Sequence, residues 1–265
     1  MSKRDNNFME NGINKTAIIK IEGGICSQIG YFALGLYLSD LNYKVKYDFS
    51  WFENNGKDMD GIFVRNYDLE KAFPAFKLEA ATKEEVNLFS SKYNVLNEFT
   101  LFQDKMYICN YPDRASIITP YQDYLKVNFK PIDTNSVDAV YEKIKSSTVC
   151  AVHVRRGDLS HYHPAYGEPA TVNYFLKTIN VVKSWEPSTV YFFFSDECNY
   201  VIENIIPKLP ADIKYEVINQ NGSDKGYLDL WLMSKCSYII GSKGSMAKFA
   251  NFLSDESNSL IIPKN

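Results

Sequence analysis

The stretch STVCAVHV, residues 147–154, runs almost without a polar interruption between Thr148 and His153. A strand with one face in water alternates apolar and polar side chains. This one does not, so it reads as a strand covered on both faces. Four more short runs of this kind follow: STVYFFFS (188–195), IKYEVI (213–218), CSYIIG (236–241) and SLIIP (259–263). Each is separated from the next by a segment long enough for a helix. Apolar, β-branched and aromatic runs alternating with helices predict a parallel sheet of the doubly wound α/β type.

Upstream, TAIIKIEGG (16–24) is a β-rich run ending in two glycines, and SQIGYFALGLYLSDL (27–41) then places apolar residues at helical spacing. This predicts strand, tight turn and helix. KVKYDF (44–49) reads as a second strand, residues 50–82 as irregular and aromatic, and 83–91 as a helix. MYICN (106–110) and ASIIT (115–119) read as strands, and 121–128 and 135–146 as helices. Breakers concentrate in FKPIDTN (129–135), which places a domain boundary there, with one domain over 1–132 and a second over 133–265. The sequence contains no internal repeat.

With 265 residues, 45% of them hydrophobic, 19 Tyr and 17 Phe, the chain is long and apolar enough to build proper cores. A net charge of -3 argues against a general nucleic-acid binder, whose phosphate contacts need a basic surplus. The five cysteines, at 26, 109, 150, 198 and 236, are odd in number and without a CxxC pair. That usage fits reduced thiols and a cytoplasmic setting. No apolar run approaches the roughly eighteen residues that span a bilayer, and the N-terminal MSKRDNNFMENGINK reads as neither signal nor anchor.

In doubly wound sheets ligands sit beyond the carboxyl ends of the strands. HVRRGD (153–158) closes one strand, SDE (195–197) the next, LDLWLMS (228–234) lies on a later helix, and GSKGS (241–245) follows another strand. Paired arginines offer planar donor forks suited to a diphosphate, and the alternative is a structural arginine bridging Asp158 and a loop carbonyl. Small residues with a lysine before a helix supply backbone N–H groups and hydroxyls to an anion. Ser195 or Asp196 is equally suited to capping a helix over 197–206. The turn EGGICSQIG lacks GxGxxG and no GK[ST] follows it, so neither a dinucleotide fingerprint nor a Walker loop is present. DMD (58–60) stands in a polar stretch with no strand before it, and His161 and His163 have no third ligand, so no metal site is expected.

These motifs together resemble glycosyltransferase family 11, the α-1,2-fucosyltransferases, many of them bacterial enzymes of surface polysaccharide synthesis. HVRRGD matches the HxRRxD motif shared by several fucosyltransferase families. GGICSQIGYFALG is similar to the family's GGLGNQxFQYALG, TPYQDYLKVNF to its GYFQSxxYF region, FFFSDE to its FSDD, and LDLWLMSKCSYIIG to its DxxLMSxCxHxIIAN. The resemblance runs in order from about residue 17 to 253.

It implies a GT-B-type fold, two Rossmann-like doubly wound domains facing a central cleft, with residues 1–132 on the acceptor side and 133–265 holding GDP-fucose. It implies no metal and no cofactor, a glycan acceptor that is free or lipid-linked, and a cytoplasmic enzyme, soluble or peripheral to the membrane. By the family pattern Arg155 contacts the β-phosphate, His153 and Arg156 shape the loop and nearby donor contacts, and Asp229 accepts hydrogen bonds from guanine. Ser242 and Ser245 stand where the family's serine motif approaches the diphosphate, with Ser195, Asp196 and Gln28 as further donor contacts. The base stays open among Asp158, His163 and Glu168. Two departures bear on function: the family's GNQ turn reads CSQ, keeping Gln28, and its aromatic SxFSWWGAWL segment reads GSMAKFANFL. They leave open a transferase of the same fold using another nucleotide sugar, and a GDP-sugar binder without turnover.

Overall fold

A computed structural model of the chain describes residues 15–54, 56–57, 61, 64–92, 103–109, 115–164, 166–254 and 259–263. Two parallel sheets organise it. In the first, β1 (Thr16–Lys20) lies between β2 (Lys44–Asp48) and β3 (Lys105–Ile108). In the second, β4 (Val149–Val154), β5 (Val190–Ser195), β6 (Lys214–Ile218), β7 (Tyr238–Ile240) and β8 (Ser259–Ile261) stand in the order β6-β5-β4-β7-β8. Every paired ladder is parallel.

The uninterrupted apolar character of β4 follows from its place at the centre, where all six residues are buried. Ala151, Phe192, Phe194 and Ile239 face one apolar cluster, while Cys150, Val152, Phe193 and Ile240 face another that includes Phe175, Ile179 and Val182. Those last three belong to the Val172–Trp185 helix, capped by Thr171, whose hydroxyl accepts from the Tyr174 N–H at 3.2 Å. Both faces are thus covered, which removes any use for polar alternation.

The first cluster continues into the other sheet. It takes in Ala17 and Ile19 of β1, Ile29 and Phe32 of the Ile25–Asp40 helix, and Leu228, Leu230 and Trp231 of the Gly226–Ser234 helix. The segment resembling the family's GYFQS region packs here too: Leu125 and Phe129 are buried in the cluster, and the Gln122 amide donates to the Phe252 carbonyl at 2.8 Å. On the far side of β1, Ile18 meets Tyr107 and Phe89 of the Lys83–Lys92 helix.

One expectation needs correction and a second needs refinement. ASIIT is a helical turn over Ala115–Ile118 running into a tighter 3-10 turn at Thr119–Tyr121, not a strand. Pro120 has no N–H to offer a ladder but suits a first helical turn, and Ile118 is buried in the cluster shared with the Ile25–Asp40 helix. The helix expected over 197–206 is present over 198–208 but changes pitch along its length: an α turn at Cys198–Tyr200, a π-helical turn at Val201–Ile205 and a 3-10 turn at Ile206–Lys208 that contains Pro207. The DMD of 58–60 lies outside the described residues. Among the described residues no helix is long and apolar enough to cross a membrane.

Helix and sheet approach closely at Gly35, where an added Cβ would come within 1.9 Å of the Tyr47 hydroxyl oxygen. Alanine normally favours a helix over glycine by about 1 kcal/mol. Here the overpacking cost of about 1–3 kcal/mol outweighs it, because the Tyr47 ring is buried and cannot swing away. Gly35→Ala is therefore expected to lower the thermal unfolding temperature, and a rise would show that the contact is loose.

Candidate functional site

The carboxyl ends of β4, β5 and β7 are laced together by serines. The Arg155 N–H donates to Ser242 Oγ at 2.7 Å, and Ser195 Oγ donates to the Val154 carbonyl at 2.7 Å. Ser195 Oγ also accepts from the Glu197 N–H at 3.0 Å, so its hydroxyl closes a local turn rather than capping a long helix.

Beyond this lacing, the Arg155 guanidinium is held between two carboxylates. One arm donates to Asp158 Oδ1 and the other to Asp196 Oδ2, the latter at 2.5 Å. Asp196 also accepts the Arg156 N–H at 2.8 Å through its other oxygen. Arg156 turns aside: it donates to the Ser160 carbonyl at 3.3 Å, and its guanidinium carbon lies 4.1 Å over the Tyr200 ring. Of the two readings of the arginine pair, a structural bridge is present, made to two carboxylates instead of one carboxylate and a carbonyl. Asp158 is buried under Arg155.

A cleft of about 780 Å³ opens beside this network. His153, Arg155, Ser195, Asp196 and Asp229 line it, together with Arg65, Glu197, Tyr200, Asn219 and Asn221. Asp229 stands in the first turn of the Gly226–Ser234 helix, where its Oδ1 accepts from the Asn221 amide at 2.6 Å. Burial raises its carboxyl to about 7, opposed by the hydrogen bond from Asn221. Asn221 Oδ1 is buried and has no partner among the described residues. His153 is buried too, its Nδ1 likewise unpartnered among the described residues, and burial depresses it to about 4, with Asp196 working the other way and Arg155 reinforcing the shift.

Ser245 meets the opposite half of the chain. The thiol of Cys26 lies close to it; burial raises that thiol to about 12, with Ser245 and Arg155 near enough to lower it in part. The start of the Ile25–Asp40 helix therefore abuts the GSKGS turn. Both turns need glycine: Gly23 has φ 79° and Gly244 has φ 96°.

The structure does not bring the remaining residues into the cleft lining. Gln28 is wholly buried and bonded to backbone. His163 sits in a small turn, exchanging backbone hydrogen bonds with Gly167 at 3.1 and 2.7 Å, and Glu168 is exposed beside it. Among the described residues no three His, Cys, Asp or Glu side chains group closely enough to hold a metal ion. Sequence reasoning missed Asn219 and Asn221, although both follow β6 in NQNGS and the strand-end rule applies to β6 as to its neighbours. Nothing local to Arg65 marks it in the sequence.

In open parallel α/β sheets ligands sit at such strand ends, where this polar, arginine-bearing cleft lies. Residues 57–265 match the family model for glycosyl transferase family 11, and the chain belongs to that family of glycosyltransferases. It is 22% identical over 183 residues to the O-antigen biosynthesis glycosyltransferase WbnK of Escherichia coli, a match covering 66% of this chain and 57% of that relative's length. The fold is similar to that of POFUT1 in complex with GDP, with a TM-score of 0.53, 9% identity, and coverage of 94% of this chain and 99% of the other.

His153 and Asp229 act on stability with opposite sign. Asp229 has a raised folded value, so its contribution is present at low pH and is lost as pH rises toward about 7. His153 has a depressed value, so its contribution is present above about 6.5 and is lost as pH falls toward about 4. The two offset each other between these limits. Asp229→Asn should uncover the His153 slope, with urea-unfolding stability rising by up to about 3 kcal/mol between pH 4 and 6.5. His153→Gln should uncover the reverse slope. The same pH profile in both variants would contradict these assignments.

Proposed function

We propose that the chain is an inverting, metal-independent fucosyltransferase that moves L-fucose from GDP-fucose to the 2-hydroxyl of a galactose-type acceptor in a surface glycan. The observation that carries this reading is the acceptor pair at the cleft floor, the Asp229 carboxyl beside the unpartnered Asn221 Oδ1. Guanine presents adjacent N–H donors on its ring nitrogen and exocyclic amine, which match two neighbouring acceptors. Adenine offers a donor beside an acceptor, and uracil a single donor between carbonyls. POFUT1, whose fold is similar, was solved with GDP, which favours the same nucleotide here.

In this reading residues 1–132 form the acceptor-side Rossmann-like domain and 133–265 the nucleotide-sugar domain of a GT-B-type arrangement. Arg155 turns part of its donor fork toward the β-phosphate as the bond from the fucose anomeric carbon to the phosphate oxygen breaks. Charge that builds on the departing diphosphate meets a guanidinium that Asp158 and Asp196 already orient. Ser242 and Ser245 hold the neighbouring turn, and His153 and Arg156 shape the loop. Asp158 is buried under Arg155 and serves to orient it. The base that accepts the acceptor's proton stays open among Asp158, His163 and Glu168, the last two on the loop after the HxRRxD motif and outside the cleft lining. No cofactor takes part. The acceptor glycan is free or lipid-linked, and a peripheral membrane location suits the latter.

Calorimetry with GDP-fucose, GDP-mannose and UDP-sugars, followed by linkage analysis of products from galactose-terminated glycans, tests the reading. GDP-fucose should bind tightest and yield an α-1,2 linkage. Arg155→Ala should lower turnover by about a hundredfold while the protein stays folded. Another preferred donor would favour a different transferase of this fold, and binding without transfer a non-catalytic GDP-sugar protein. Near-normal turnover in Arg155→Ala would refute the clamp.

A further inference from the structure

Arg65 enters the cleft lining from the amino-terminal half, and Gln28 holds the backbone that carries it. The Gln28 amide donates to the Gly23 carbonyl at 3.0 Å and the Asn66 carbonyl at 2.8 Å. Its oxygen accepts from the Asp68 and Leu69 N–H groups, both at 2.9 Å. Every hydrogen-bonding position of the side chain thus goes to backbone, part to the glycine turn and part to the segment immediately after Arg65. On the other side the Arg65 N–H donates to the Gly56 carbonyl at 2.9 Å. Gly56 lies so close under the Trp51 ring that a Cβ there would come within 2.1 Å of it. The backbone is pinned both before and after Arg65.

Charge gives this placement a purpose. A sugar diphosphate carries a negative charge on each phosphate, and the departing diphosphate gains one more. Arg155 faces both Asp158 and Asp196, which offset its charge, so a diphosphate gains from a second cation in the cleft. Among the described cleft-lining residues, Arg65 brings the other guanidinium. We infer that Arg65 contacts the diphosphate of the donor, and that Gln28 is the positioning residue that presents it. This rests on the GDP-sugar reading of the cleft.

The test is calorimetric titration of the full chain with GDP and, in parallel, with guanosine, which lacks the phosphates. Wild type should bind GDP more tightly than guanosine. Arg65→Gln should weaken GDP on the order of tenfold to a hundredfold and leave guanosine unchanged, with Arg65→Lys recovering part of the loss. Gln28→Met should reduce the preference for GDP in the same way, and the double variant should be no worse than Arg65→Gln alone. If Gln28→Met does not fold, Gln28→Glu, which keeps the accepting oxygen and loses the donor to Asn66, takes its place. An unchanged GDP preference in Arg65→Gln, or additive losses in the double variant, would overturn the inference. So would equal weakening of both ligands by the Gln28 variants, the sign of general loosening. Equal binding of GDP and guanosine by wild type would instead sink the diphosphate reading of the cleft itself, and this inference with it.

Discussion

The guanidinium of Arg155, caught between Asp158 and Asp196, is the contact on which the geometry of the cleft depends. Three strand ends converge on it: β4 supplies the arginine, β5 leads directly into Asp196, and the turn after β7 supplies the hydroxyl that takes the Arg155 N–H. The sheet order makes this possible, since β4 lies between β5 and β7. Removing either carboxylate leaves a partly buried charge short of a partner, a much larger disturbance than the loss of a surface ion pair.

The same network explains how neutral and charged groups share so small a space. Burial favours the uncharged form of His153 and raises the Asp229 carboxyl only to about 7, where the Asn221 hydrogen bond opposes it, so the ions concentrate where they are paired or hydrogen-bonded. The family's asparagine turn is replaced here by Cys26 and Ser27, and Cys26 uses its thiol to meet Ser245. A neutral thiol is suited to the role, because a thiolate there would be held out of water.

Sequence legibility followed the range of the interactions involved. The strands of the second sheet could be read because burial on both faces leaves a mark in consecutive residues, and HVRRGD because strand-end chemistry is local. Asn221 was within reach of the same rule. Arg65 and the role of Gln28 were not, since they depend on contacts spanning 38 to 41 positions that no short pattern records. ASIIT misled for a related reason. Its β-branched residues fit a strand, but Pro120 and packing against the Ile25–Asp40 helix decided otherwise. The α/β class was therefore readable, while the cleft's second cation was a product of tertiary structure.

The apolar cluster that passes from the Ile25–Asp40 helix to the Gly226–Ser234 helix sets a mechanical limit on the molecule. Wide separation of the two sheets would expose Leu228, Leu230 and Trp231 together with Ile29 and Phe32, a large hydrophobic penalty for each opening. Traffic through the cleft is cheaper if the sheets stay joined and the turns around the rim do the moving. Two sheets closed on one shared apolar core make their separation the costly motion of the molecule.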